Sequence, residues 1–393
     1  MKILMLHNFY SEPGGEEKGF YSDCELLRSH NVDVITYSQH NEHQQNNKFK
    51  TVARCVWSAA DYSHILKLIK HEKPDIMHVH NDFPLLSPSI YHAAFRAGIP
   101  AVHTLHNYRW VCPAGTLSRR GKPCIKCIGK SMPWPGVVHA CYHRGRAATA
   151  VVAAMLTTHN LMGTFRHRVQ AAIVFTDFMK NIYIQAGFSE SQIHLRANFI
   201  DPDPGMGNGE GNFVLFVGRL AAEKGIDVML NAWAQFSSGM SLKIVGQGPL
   251  YDQIRQRAIS LPGVDLLGYV NKSYLDYLYK HAKILIVPSI WYEGSPSVIC
   301  EAYAAGLPVL ASNIGSLSEL VRDGYNGAHF TAGDAGSLAD VMGRMLANPD
   351  RLLALRQGAR QTYECKFTAA ASFRRLMEIY ASVLPSAALR QES

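Results

Sequence analysis

The sequence predicts an α/β chain of two domains, each a parallel sheet flanked by helices. Three observations predict it. Short apolar runs alternate with helix-period segments through both halves, a Pro- and Gly-rich stretch at 201–212 separates the halves, and 393 residues exceed what one core usually serves.

In the first half, Lys2–Leu6 reads as a buried strand, followed by the glycine turn Pro13-Gly14-Gly15 and a helix over Gly19–Ser29. Asp33–Thr36, Asp75–Val79, Ala101–Leu105 and Ala172–Thr176 read as further strands. Ile65, Leu66 and Ile69 mark one intervening helix by their spacing, and Ser87–Ala97 and Ala147–Met162 are two more. The second half repeats the rhythm. Phe213–Val217, Leu242–Val245, Val264–Leu267, Ile284–Val287 and Val309–Ala311 read as strands, each followed by a helical pattern. The expected organisation is a first domain at 1–200, a linker at 201–212 and a second domain at 213–368, with a final helix within 369–393 packing back on the first domain. Ligands of such sheets bind outside the carboxyl ends of the strands, so two facing domains imply a cleft.

An apolar fraction of 47% against 18% charged residues excludes a disordered chain. No run of about 18 uncharged apolar residues predicts a membrane-spanning helix. Met1–Leu6 is too short for the core of a signal peptide, and eight cysteines without an export signal point to the cytosol. The +8 charge is localised. Arg109, Arg119, Arg120, Lys122, Lys126, Lys130, Arg144 and Arg146 fall within residues 107–146, which contain no Asp or Glu, and the remainder holds 31 basic against 31 acidic residues. One cationic segment on a neutral chain suits a specific anionic partner or surface.

The strongest chemical signal lies between Tyr292 and Gly306. Ser295-Pro296-Ser297 starts a helix, with Ser295 as cap, and Gly306 stops it. Glu301 is the only charge on that apolar helix and therefore needs partners. Glu293 precedes it, beside N–H groups that attract anions. A glycosidase pair would need carboxyl groups about 5 to 9.5 Å apart. Eight helical residues span about 12 Å, which suits two contacts on one elongated ligand better.

The stretch from Glu293 to Glu301, with Ala302, Gly306-Leu-Pro-Val and Gly315, resembles the E-x7-E signature of retaining GT-B glycosyltransferases of family 4 (glycosyl transferases group 1). The resemblance continues through Phe216-Val-Gly-Arg-Leu220, Glu223-Lys224-Gly225, Gly246-Gln-Gly248-Pro249, Pro13-Gly14-Gly15, Pro74–His80 and His103–Asn107, in the family's order. It implies the GT-B fold, two Rossmann-like domains with parallel sheets facing across a cleft. It also implies transfer of a hexosyl group, with retention, from a nucleoside-diphosphate sugar (UDP- or GDP-linked) to an acceptor hydroxyl.

Gly218 and Arg219 close a strand and Lys224 lies at a helix entrance. Two cations beside a helix start suit a diphosphate. By the resemblance they hold the leaving diphosphate in place of a metal ion, so that no cofactor is required for catalysis. Glu301 would bond the ribose, and Glu293 with the N–H groups of Gly294, Ser295, Pro296 and Ser297 (Pro296 itself offering none) would hold the transferred sugar. His106 would lie near the reacting carbon. Gly14 and Gly15 would approach the diphosphate or the acceptor, the acidic Glu16 and Glu17 behind them favouring the acceptor.

Cys112, Cys124, Cys127 and Cys141 have the spacing of a tetrahedral, all-thiolate structural zinc site; separate reduced thiols or a disulfide pair are the alternatives. Tyr108, Trp110, Trp134 and Tyr142 are interleaved with the cations, a composition suited to anionic lipid. The resulting expectation is a cytoplasmic enzyme, peripheral on the inner face of the plasma membrane. It would use a lipid-linked or glycan acceptor in the assembly of polysaccharide, exopolysaccharide, lipopolysaccharide or O-antigen. Nucleic acid is not an expected partner, because that reading leaves the second-half motifs unexplained. A nucleotide-sugar epimerase or a glycan phosphorylase is the alternative.

Overall fold

The computed structural model describes residues 1–10, 14–41, 48–236 and 239–385. Pro13 and the polar tail from Ser386 lie outside them. The chain divides into two compact units. The first comprises Met1–Arg119, Cys124–Arg196 and the chain from Phe373; the second comprises Arg120–Pro123 and Ala197–Ser372.

The first unit holds a six-stranded sheet in the spatial order Asp33–His40, Lys2–Phe9, Ile76–Asn81, Ala101–Thr104, Ala171–Val174, Ile193–Leu195. All its pairings are parallel, with Ile3 opposite Ile76, Met77 opposite Ala101 and Val102 opposite Ala171. The second unit's sheet runs Val264–Gly268, Ser241–Val245, Phe213–Val217, Leu285–Val287, Val309–Ser312, Gly327–Phe330, again parallel throughout. In chain order that is third, second, first, fourth, fifth, sixth. The order reverses between the first strand and the fourth, and a crevice for ligands opens at the carboxyl ends of such a pair. In the first unit the reversal falls between Lys2–Phe9 and Ile76–Asn81.

The strands that were expected are present, most of them longer by one to four residues. The first helix begins at Gly15 rather than Gly19. The edge strands Ile193–Leu195 and Gly327–Phe330 carry no clear period; neither they nor the helix Lys48–Val56 were anticipated.

Alternation explains the cores. In Phe213–Val217, Phe213 and Leu215 enter a cluster with Ile299 and Tyr303 of the helix Ser297–Ala304. Val214 and Phe216 point the other way, toward Ile226 and Leu230 of the helix Ile226–Trp233. Both faces are thus covered by helices, as a buried parallel sheet requires. In the first unit, Ile3, Met5, Ile76, Val102 and Ile173 pack with Leu376, Ile379 and Tyr380 of the last helix, Ala369–Val383.

The segment 201–212 contains no helix or strand, yet it is fastened to the second unit. Gly207, Gly209 and Gly211 donate backbone bonds to the carbonyls of Ala305, Lys280 and His281 at 2.9 to 3.0 Å. The Arg356 guanidinium donates to Gly207 O at 2.8 Å, and Arg360 grips the Asp203 carboxylate with two bonds. A Cβ on Gly207 would stand 2.2 Å from Lys280 O. The glycines there permit close backbone approach as well as turning.

Replacing Gly207 by Ala should therefore cost about 1–3 kcal/mol through forced displacement. Gly205→Ala is the control, since no atom lies within 4 Å of its Cβ position and only its positive φ is strained. Chemical denaturation checks this; equal losses for the two variants would contradict it.

Candidate active site

In the second unit the strand Phe213–Val217 delivers Gly218 and Arg219 at its carboxyl end. Gly246, after the neighbouring strand, has φ 138°, and a Cβ there would lie 1.9 Å from Gly218 O. A short 3-10 turn, Ala222–Lys224, follows. Gly225 then adopts φ 69°, and its Cβ would meet Pro288 O at 1.8 Å. Only glycine fits. This approach carries Lys224 to the segment after the fourth strand, across the point where the sheet order reverses.

There Lys224 Nζ donates to Glu293 Oε1 at 2.8 Å, and Ser289 Oγ donates to the same oxygen at 2.6 Å. Glu293 is buried. Burial alone would raise its pKa, but the Lys224 charge and the bonds from Lys224 and Ser289 outweigh it and hold the carboxyl below its ordinary range. Lys224 also lies 5.7 Å from the centre of the Trp291 ring. Arg219 is half exposed and pairs with Glu223. Each cation is therefore matched with a carboxylate of its own.

Glu301 is buried on the helix Ser297–Ala304 and accepts from Tyr279 OH at 2.8 Å, which supplies a partner of the kind its burial demands. The helix start differs from expectation. Pro296 occupies the capping position and no side chain caps, so Ser295 Oγ is not the cap. That hydroxyl is buried without a partner, while Ser295 O accepts from Asn198 Nδ2 at 2.9 Å. Gly294, Ser295, Pro296 and Ser297 thus form the lead into the helix, with an unpaired hydroxyl among them. Ser289, Trp291 and Tyr279 were not anticipated. The W-Y-E run before Gly294 hinted at Trp291; the other two had no signal beyond their residue type.

In the first unit, His106 follows the strand Ala101–Thr104. Its Nε2 lies 3.0 Å from His80 Nδ1. Burial above all, with the rings of His80 and His7 adjoining, holds its pKa well below the ordinary histidine value. A Cβ on Gly19 would reach within 2.8 Å of His106 Cε1, so the helix Gly15–Ser29 makes room for this ring. Gly14 takes an extended conformation before that helix. A Cβ on Gly14 or Gly15 would meet nothing within 4 Å. Glu16 accepts from Asn107 Nδ2 at 2.6 Å, and burial raises its pKa.

The basic segment departs furthest from expectation. Tyr108 and Trp110 are buried, Trp110 stacking on Phe165 at 4.7 Å and Phe188 at 5.7 Å. Arg109 is folded against Phe83 and Tyr142. These residues join the first unit's interior rather than a surface array. Among the exposed large apolar residues are Ile125, Met132, Trp134, Val138, Leu161 and Met162. The helix Trp134–Val138 packs on the helix Arg146–Leu161, and Asn160 Nδ2 donates to Ser131 O at 3.3 Å. No helix among the described residues is long and apolar enough to cross a membrane.

The expected four-thiolate zinc site is corrected. Cys112, Cys124, Cys127 and Cys141 are free thiols, so the disulfide alternative is also unformed. Among the described residues no three His, Cys, Asp or Glu side chains are placed to hold a metal ion. The thiols are near enough to interact: burial, then its neighbours Cys112, Cys141 and Cys124, push Cys127 up to about 12. The segment is held instead by the buried Tyr108, Trp110, Cys112 and Leu117, and by backbone bonds such as Cys124 N to Leu117 O at 2.7 Å.

With this geometry in place, the fold defines the class. Anabaena HepE, crystallised with UDP, superposes with a TM-score of 0.69 over 97% of this chain and 100% of its own at 18% identity. Sucrose-phosphate synthase of Thermosynechococcus elongatus gives 0.71 over 97% and 99% at 17%. These show a GT-B fold. The sequence model described as Glycosyltransferase Family 4 matches residues 24–204, and that of Glycosyl transferases group 1 matches 203–362. The chain belongs to this glycosyltransferase family. The phosphatidyl-myo-inositol mannosyltransferase of Mycobacterium leprae is 32% identical over 184 residues, covering 45% of this chain and 48% of that protein. The matched stretches span about a third to a half of the curated relatives' lengths.

Asp82 offers a test of the first unit's buried network. It is buried, accepts from Tyr91 OH at 3.0 Å and has its pKa raised to about 6, by burial above all. A carboxyl whose folded pKa exceeds its unfolded value adds stability at low pH and loses it as pH rises through the folded value. Relative to Asp82→Asn, the parent chain should lose about 2 kcal/mol between pH 4 and pH 7. Denaturant titrations of both across that window would detect it; parallel pH profiles would contradict it.

Proposed function

We propose that this chain transfers a hexosyl group from a nucleoside-diphosphate sugar to an acceptor hydroxyl, with retention at the anomeric carbon. The observation that carries the reading is the meeting of Lys224 with Glu293, 69 residues apart, where the second sheet reverses its order, in a chain of this family. Arg219 and Lys224 neutralise the departing diphosphate, the role a metal ion has in other transferases. Glu301 accepts from the ribose hydroxyls. Glu293, the Ser295 hydroxyl and the N–H groups of Gly294, Ser295 and Ser297 hold the sugar. The C1–oxygen bond to the phosphate breaks with its electron pair going to the phosphate. The acceptor oxygen bonds C1 from the same face and its proton passes to the departing phosphate oxygen. His106, on the first unit, accepts from the sugar or steadies the positive charge that develops. Gly14 and Gly15 contact the acceptor. HepE has been crystallised with UDP and with UDP-glucose, which supports a uridine or similar nucleotide donor.

The acceptor we propose is a lipid-linked glycan on an anionic membrane surface, as in polysaccharide or lipopolysaccharide assembly. Met132, Trp134, Val138, Leu161 and Met162 are exposed apolar side chains on adjoining elements, and Lys130 lies 5.9 Å from the Trp134 ring. Apolar anchors with a lysine beside them, in a segment rich in Lys and Arg, suit that surface. The mycobacterial relative named above is a transferase to a phosphatidylinositol.

Release of nucleoside diphosphate from a panel of nucleotide sugars, with lipid-linked acceptors, tests the first reading. Arg219→Ala should lower kcat about 100- to 1,000-fold with an unchanged circular dichroism spectrum. Full activity in that variant, or inertness of the parent chain toward every activated sugar, would reject it.

Vesicle flotation tests the second. Lys126→Glu with Lys130→Glu should weaken binding to phosphatidylserine vesicles at least tenfold, at about 1 kcal/mol per cation near the surface. Trp134→Ala should weaken binding to neutral vesicles as well. Unchanged flotation in all variants would exclude docking through this face.

A further inference from the structure

Four side chains in the first unit form a buried line that ends at His106. Arg196 follows the strand Ile193–Leu195 and grips Asp23 with two bonds, of 2.7 and 2.5 Å. Asp23 Oδ2 lies 3.4 Å from His80 Nε2, and His80 Nδ1 lies 3.0 Å from His106 Nε2. Asp23 and Gly19 are four residues apart on the helix Gly15–Ser29 and so share a face. One supplies the carboxylate and the other the space beside the His106 ring.

The proton positions along this line follow from electrostatics. Asp23, Arg196 and His80 are closed off from water. Arg196 already neutralises Asp23, so a doubly protonated His80 would leave a buried positive charge without compensation. A neutral His80 carries one ring proton. A bare Nε2 would set its lone pair against the Asp23 carboxylate, so the proton belongs on Nε2. Its Nδ1 is then an acceptor, and the atom facing it, His106 Nε2, must carry the donor hydrogen. That assignment leaves His106 Nδ1 with a lone pair. His106, His80, Asn107 and Arg109 line the same small cavity.

We propose that Asp23, acting through His80, fixes His106 as its Nε2–H tautomer, so that His106 Nδ1 accepts a hydrogen bond from a hydroxyl of the bound sugar substrate. Asp23 and His80 are positioning residues. The substrate part of this proposal rests on the transferase reading above; the tautomer part does not. A fixed acceptor discriminates by requiring a hydroxyl donor at that place, and a substrate lacking it would leave the lone pair unmatched.

Nitrogen-15 spectra of the full chain labelled at histidine, with His106→Gln to assign the ring, read the tautomer without any substrate. The parent chain should show a protonated Nε2 and an unprotonated Nδ1 at His106. Asp23→Asn lets an amide donate to His80 Nε2, which should reverse both rings and lower kcat roughly 10- to 100-fold with little change in donor KM. His80→Gln, whose amide can donate to Asp23 and accept from His106, should keep the parent pattern and most of the activity, whereas His80→Leu should lose both. If Asp23→Asn fails to fold, the parent spectrum and the two His80 variants still decide. A protonated Nδ1 at His106 in the parent chain would overturn the proposal. So would a His80→Leu variant with the parent's tautomer and kcat. A parent chain with the expected tautomer but no activity on any nucleotide sugar would refute the transferase reading alone.

Discussion

A carboxylate shut away from water must find hydrogen-bond donors or a cation where it stands, and that requirement shapes the surroundings of the acids in both units. Each buried acid meets it differently. Asp23 has the two-bond grip of Arg196; Glu293 has Lys224 and Ser289; Glu301 has the Tyr279 hydroxyl. Asp82 has a Tyr91 hydroxyl but no adjoining cation bond, and its carboxyl is accordingly the one raised to about 6. Two of these partners come from distant parts of the chain, so Arg196 on Asp23 and Lys224 on Glu293 also fix the paths of segments that follow strands. Removing one partner leaves the other buried and charged, which costs far more than an exposed pair would.

The same requirement explains what could be read from residues alone. Phe213–Val217 is a continuous apolar run because helices cover both faces of its sheet, and it was placed to the residue. Glu301 stood out as a lone charge on an apolar helix, so its need for a partner was legible. The partner was not. Tyr279 lies 22 residues earlier on the helix Lys272–His281, where its place on the face of Leu275, Leu278 and Ala282 marks it as buried but not as the partner of Glu301. Periodicity reports which face is buried; it does not report what meets across the core.

The basic segment shows the opposite failure. Its cysteine spacing suits a zinc site and its interleaved aromatics suit a lipid surface. Yet Trp110 lies only six residues beyond the strand end at Thr104, which places it over the first unit's interior against Phe165 and Phe188. Spacing along the chain brings the four cysteines near one another but does not set the geometry of their thiols, and among the described residues they form no metal cage. Composition likewise marks 201–212 as a linker, but backbone groups bury without side chains, and three glycine N–H groups fasten that segment to Ala305, Lys280 and His281.

Glycines sharpen the point, because a motif does not say why a glycine is there. Gly225 and Gly246 stand where a Cβ would collide with a carbonyl oxygen, at 1.8 and 1.9 Å, and both have positive φ. They are required by the protein's own backbone whether or not a ligand is bound. A Cβ on Gly14 or Gly15 would meet nothing within 4 Å, so among the described residues no close contact requires them. Gly19 is a third kind: its conformation is helical and its neighbour is the His106 ring, so the constraint is on a side chain's position. It was absent from every motif that the sequence displayed. Of these glycines, Gly14 and Gly15 are the two held by neither a close contact nor a positive φ; Gly14 instead occupies the capping position of the helix, where glycine is well tolerated.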